Sequence, residues 1–96
     1  MSKEPRAAIE TSIIKKAIFV YGKTAQKVKA IEELSELSFA IAKDINNYTD
    51  INNIIEEIAD VGIMLDQLII LYNCKEKADN ARRIKLERLK ERLQNE

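Results

Sequence analysis

Four acidic residues stand at the spacing that brings side chains together on a helix. Glu33 and Glu36 are three positions apart, as are Glu57 and Asp60, and at 100° per residue each pair projects from nearly one side of its helix. Beyond the first pair on that side come Leu37 and Ala40; beyond the second come Val61, Met64, Leu68 and Leu71. The acids therefore occupy lines that a helix would bury. A carboxylate removed from water needs a partner, and four close together repel one another and raise their pKa values unless a cation compensates. Lys29, one turn before Glu33 on the same side, supplies one positive charge against four negative ones. A hard divalent cation would supply the remainder. Magnesium, or manganese in its place, takes oxygen ligands in octahedral geometry, and magnesium is commonly shared between a few carboxylates and the phosphates of a substrate. Two helices with axes about 8 to 10 Å apart, each offering an acid pair, suit one or two such ions. A second reading of the same residues also stands: the acids line the edge of an apolar stripe and pair with lysines of a partner chain.

Other chemistries lack their residues. There is no histidine, which removes His-ligated zinc, the Ser-His and Cys-His nucleophile pairs and the Glu-x-x-His di-iron bundle. Cys74 is the single cysteine, so no intrachain disulfide forms, and it reads as a small apolar filler. The formal net charge of zero conceals a segregation. Met1 to Ile31 carries +5, Glu32 to Asp66 carries −8, and Lys75 to Glu96 carries +3. An acidic middle between basic flanks is either a solvated face or a cation site with lysines and arginines at hand for an anion. A nucleic-acid partner would require a basic face with stacking aromatics, whereas the middle is acidic and aromatics make up 5% of the chain. The longest uncharged stretch near the apolar centre, Gln67 to Cys74, is far short of the roughly 20 residues of a membrane span, and the opening MSKEPRAAIE is charged. These features predict a cytoplasmic protein with no membrane partner.

The elements that would carry the acids are helices. Two glycines, one proline and no tryptophan leave few turn signals and little β-propensity, so the fold class is all-α, a small helical bundle of about four helices forming one domain over 1–96. Helix one runs from about Ala7, after Pro5, to Tyr21, and Gly22 stops it. Thr24 is the expected N-cap of a second helix reaching about Asn46, with Ala30, Leu34, Leu37, Ile41 and Ile45 as its buried stripe. The run NNYTD breaks the pattern, and Thr49 or Asp50 caps a third helix whose stripe is Ile54, Ile58, Val61, Leu65, Leu68 and Tyr72. This most apolar element is expected at the centre. Gly62 within it costs about 1 kcal/mol relative to alanine and reads either as a site of close helix approach or as tolerated slack. The last helix, about Lys75 to Gln94, is highly charged with a thin apolar line through Ile84, Leu86, Leu89 and Leu93, which places it outside or against a partner. A chain of 96 residues buries roughly 60 to 70% of its unfolded surface and is marginal alone, so self-association is expected.

The string KAIEELSE, with Lys29, Glu32, Glu33 and Glu36, followed after twenty residues by EIAD with Glu57 and Asp60, resembles the EExxE and ExxD signature of the MazG-like all-α nucleoside triphosphate pyrophosphohydrolases. The likeness continues through IEEIADVGIMLDQLIILY, an apolar helix that opens with acids, and reaches KLERL, where Lys85 and Arg88 fall where the family carries a phosphate-contacting lysine and arginine. It spans about Thr24 to Leu93.

The resemblance implies a magnesium-dependent enzyme that cleaves a nucleoside triphosphate between the α and β phosphates, yielding the monophosphate and pyrophosphate. By position, Glu33, Glu36, Glu57 and Asp60 would hold the metal, Glu32 would be an accessory ligand or orient the attacking water, and Lys29, Lys85 and Arg88 would bind phosphate oxygens, with Arg82, Arg83 and Arg92 as neighbours able to replace the last two. It also implies a homodimer or homotetramer. Unlike fuller members, this chain has no tryptophan to sandwich a base, which leaves Tyr21, Phe39, Tyr48 or Tyr72 for stacking. The alternative function is a non-enzymatic helical interaction module, or a catalytically decayed relative that binds nucleotide without cleaving it.

Overall fold

In the computed structural model, which describes residues 5–96, four helices follow one another with no strand among the described residues: α1 (Arg6–Tyr21), α2 (Lys23–Ile45), α3 (Ile51–Tyr72) and α4 (Lys75–Gln94). The all-α bundle expected from the sequence is present. None of these helices is long and apolar enough to cross a membrane. The charged opening up to Glu4 lies outside the described residues.

The breaks follow the local chemistry. Pro5, with φ −57° and ψ 145°, precedes α1, and its carbonyl accepts from the amides of Ala8 and Ile9 at 3.0 and 3.2 Å. Gly22 ends α1 and starts α2 at one residue: its amide bonds to Ile18 O at 2.9 Å, and its own carbonyl accepts from Gln26 at 3.1 Å. It can do both because its φ is +91°, a conformation glycine adopts without steric cost. The cap expected at Thr24 is therefore displaced. Thr24 lies inside α2, because the left-handed turn at Gly22 lets the new helix begin two residues sooner. At the next break Asn47 takes φ +69°, and Asp50 caps α3 by accepting from the Asn53 amide at 3.1 Å. Asn73, at φ +48°, closes α3.

The helix α3 touches all three others and is the centre of the molecule, while α4 touches only α3. The principal seam lies between α2 and α3, which run antiparallel. Gln26 meets Gln67, and ten residues further along α2 and ten back along α3, Glu36 meets Glu57. Ala30, Ala40 and Val61 are buried, and Ile14 joins them from α1. The short alanine side chains let the helices approach.

The buried stripes differ from the sequence expectation. On α2 the line that turns inward is Gln26, Ala30, Glu33, Leu37 and Ala40, while Leu34, Ile41 and Ile45 stay exposed. On α3 Val61 is buried and Ile54, Met64, Leu68 and Leu71 are half-buried, but Ile58, Leu65 and Tyr72 are exposed. The cause is that α3 is apolar around most of its circumference, so hydrophobic spacing alone admits more than one inward face. Two amides decide the choice. Gln67, 1% exposed, accepts from Gln26 Nε2 at 2.6 Å and donates from Nε2 to the Gln26 carbonyl at 3.1 Å. A buried amide must be satisfied, and only one register of α2 on α3 does this.

Candidate metal centre

Glu33 reaches the seam because it lies on the inward line of α2, seven residues after Gln26, and it is 6% exposed. Its Oε1 is 3.1 Å from Lys29 Nζ, the i, i+4 partner expected from the sequence. Across the seam α3 supplies Glu57, which is half-buried, and one turn further along α2 Glu36 leans in from an exposed position. Each of the three acids presents a carboxylate oxygen within 4.8 Å of those of the other two.

Two of the oxygens are stranded. Glu33 Oε2 and Glu57 Oε2 are inaccessible to solvent and have no hydrogen-bond partner, an arrangement whose free-energy cost calls for a compensating group. Glu57 bears the consequence: burial pushes its pKa above the ordinary carboxylate value, the charges of Glu36, Glu33 and Asp60 push it further, and a hydrogen bond shared with Glu36 adds to the rise. The Lys29 ammonium is shifted up as well, by its hydrogen bond and its attraction to Glu33. Lys29 is about half exposed and contacts only one oxygen of the cluster.

Three carboxylates from two helices, with two desolvated oxygens unengaged and one ammonium beside them, form a donor set that fits a hard divalent cation. The set consists wholly of oxygen, which disfavours soft metals.

The remaining predicted residues lie around this core at different removes. Asp60 is exposed and is not among the three acids that converge, although its charge is felt at Glu57. Its side chain is one methylene shorter than glutamate and stands on the solvent edge of the line. Glu32 is exposed and lines a shallow groove with Lys29, Tyr21, Gln26 and Met64. Lys85 and Arg88 are not among the residues that line the groove beside Lys29 and Glu32. They lie on α4, along a surface hollow shared with Glu91, Arg92 and Asn95. Of the four aromatic residues considered for stacking, Tyr21 lines the groove beside Lys29, and Phe39, Tyr48 and Tyr72 are exposed elsewhere.

Sequence reasoning passed over Gln26 and Gln67, which set the register that brings the acids together. The signal was there, since Gln26, Lys29, Glu33 and Glu36 follow one another at helical three-and-four spacing. Compared with protein-family models, curated proteins and solved structures, the chain matches none.

Proposed function

We propose that this chain is a magnesium-dependent nucleoside triphosphate pyrophosphohydrolase whose metal is held by Glu33, Glu36 and Glu57, with Asp60 as the outer carboxylate of the set. One observation carries the reading: two carboxylate oxygens on facing helices, Glu33 Oε2 and Glu57 Oε2, are buried without a partner inside a triad whose oxygens lie within 4.8 Å of one another. A purely structural seam would have apolar or hydrogen-bonded atoms there, as this seam does at Gln26 and Gln67.

A divalent cation bound there supplies charge neutralisation for a polyphosphate and favours attack by water at phosphorus. The chain's own residues have distinct parts. Glu57, whose pKa is raised by burial and by the charges of Glu36, Glu33 and Asp60, would hold the cation in its ionised form, so metal affinity should fall as pH drops and this carboxyl takes up its proton. Lys29 pairs with Glu33 at 3.1 Å and, half exposed beside the triad, would be the ammonium that holds a phosphate oxygen. Glu32, on the groove that leads to Lys29, orients the water. Water adds to the α phosphorus, the bond from that atom to the α–β bridging oxygen breaks, and pyrophosphate leaves with the bridging oxygen. Neither imidazole nor thiol is required.

The test is a panel of nucleoside triphosphates with and without magnesium, assayed for pyrophosphate. Magnesium-dependent release that falls at least a hundredfold in Glu57→Gln and Glu33→Gln, with helical content retained, is the expected result; unchanged turnover in both variants ends the metal assignment. The second reading, an interaction module or a nucleotide-binding relative without turnover, has its own support in the large exposed apolar surface. Magnesium binding by calorimetry without release of pyrophosphate from any nucleotide would establish it.

A further inference from the structure

Of the two glutamines that set the register, Gln26 has a polar atom left over. Gln67 Nε2 donates to the Gln26 carbonyl at 3.1 Å and to Met64 Sδ at 3.6 Å. Both of its hydrogens are thereby engaged, and its Oε1 is the acceptor turned towards Gln26. Gln26 answers with Nε2 at 2.6 Å. Its amide cannot turn over without breaking that bond, so the position of Gln26 Oε1 is fixed by its neighbour. Among the described residues nothing donates to Gln26 Oε1, and unlike Glu33 Oε2 and Glu57 Oε2 this oxygen is not closed off from solvent. A side chain only 8% exposed thus keeps one unpaired atom within reach of a ligand, and that atom is an acceptor.

Gln26 lines the groove beside the carboxylates, whose volume of about 460 Å³ lies within the roughly 300–1,000 Å³ of small-molecule sites. Tyr21, Val28 and Met64 give the groove apolar walls, against which a flat ring can lie. Lys29 lines it as well and is 3.1 Å from Glu33 Oε1, so the groove and the acidic triad share a residue. A ligand whose polyphosphate engages the triad has its other end led past Lys29 into the groove. We infer that this groove takes the base of the nucleotide and that Gln26 selects a base carrying an exocyclic amine, adenine or cytosine. The inference rests on the nucleotide reading of the triad.

The selection follows from the fixed amide. Adenine and cytosine carry an amine where guanine, uracil and thymine carry a carbonyl oxygen. The amine donates to Gln26 Oε1. A carbonyl in its place sets acceptor against acceptor and displaces the water that would otherwise satisfy the glutamine. A free glutamine side chain would turn its amide over and serve either edge; this one is held by Gln67. Gln67, which touches no base, is accordingly a positioning residue for base choice.

Calorimetry with magnesium and non-hydrolysable α,β-imido triphosphates tests this on the intact chain, using two pairs of near-isosteric bases, cytosine against uracil and adenine against hypoxanthine, with inorganic tripolyphosphate as the base-free probe. The amine-bearing member of each pair should bind about tenfold tighter or more. In Gln26→Leu/Gln67→Leu both ratios should fall close to one. Ala25→Trp, at an exposed position on the groove wall, should bring nucleotide affinity down to that of tripolyphosphate. Equal affinity within each pair in the native chain, or ratios that persist in the double variant, overturns the inference while tripolyphosphate binding leaves the metal assignment standing. Absence of magnesium-dependent binding of tripolyphosphate and of every nucleotide overturns the metal assignment, and this inference with it.

Discussion

Glu57 combines burial with three neighbouring negative charges. Because its native pKa lies above the ordinary value of 4.5, the folded chain holds that proton to higher pH than the unfolded chain does. Between the two values the native state binds more protons, so this carboxyl makes stability fall as pH rises from about 4.5 towards its native pKa and contributes no slope beyond it. Thermal unfolding of the metal-free protein as a function of pH will show that decline, and Glu57→Gln will flatten it. On the proposed metal assignment saturating magnesium will remove it as well, because a cation would bind the ionised form. Magnesium should raise the melting temperature of the native chain and leave that of Glu57→Gln nearly unmoved. Lys29 acts in the other direction at the far end of the scale: its pKa is raised above 10.5, so its support of Glu33 is complete below that pH and is lost above it.

Among the elements, the pairing of α2 with α3 depends on the amides of Gln26 and Gln67 more than on methyl groups. Replacing Gln67 with leucine preserves volume and strands Gln26 Nε2 inside the seam, which should cost about 1–3 kcal/mol, or roughly 4–24 °C in melting temperature for a chain of this size. The double variant Gln26→Leu/Gln67→Leu should cost less than the single one, since no buried group is left unpaired, while magnesium affinity drops because the register that aligns Glu36 with Glu57 is no longer enforced. Calorimetry of the three proteins distinguishes these effects. At the head of α3, Asp50→Ala removes the acceptor of the Asn53 amide and should destabilise by about 1 kcal/mol. Helix existence and most boundaries were legible because proline, glycine and the asparagine-rich break are local signals. Which face of α3 turns inward was not, because that depends on polar satisfaction between residues 41 positions apart. The acids were legible as a converging group through their spacing, apart from Asp60, whose shorter reach no periodicity reveals.

On the scale of the whole molecule, four helices leave Ile13, Phe19, Ile31, Phe39 and Ile45 largely in water, together with Ile51, Ile55, Ile58 and Leu65 of α3. Folding of such a chain should be linked to association, so the melting temperature should rise with protein concentration over the micromolar range, as mass action requires; a melting temperature independent of concentration would show that the chain folds alone. Chain length alone says nothing of which apolar residues stay exposed; that could be read only once α4 was seen to touch α3 alone.

Gly22 carries a mechanical implication. A single left-handed residue is all that separates two helices, so its two torsions set the direction in which α1 departs. Were position 22 to relax to right-handed values, α1 and α2 would fuse into one rod of about 40 residues and about 60 Å, and Ile14 would be carried off α3. Gly22→Ala favours that straightening through helix propensity and the strain a side chain meets at φ +91°. Small-angle scattering of the variant should therefore show a longer particle than the native chain, with helicity equal or higher.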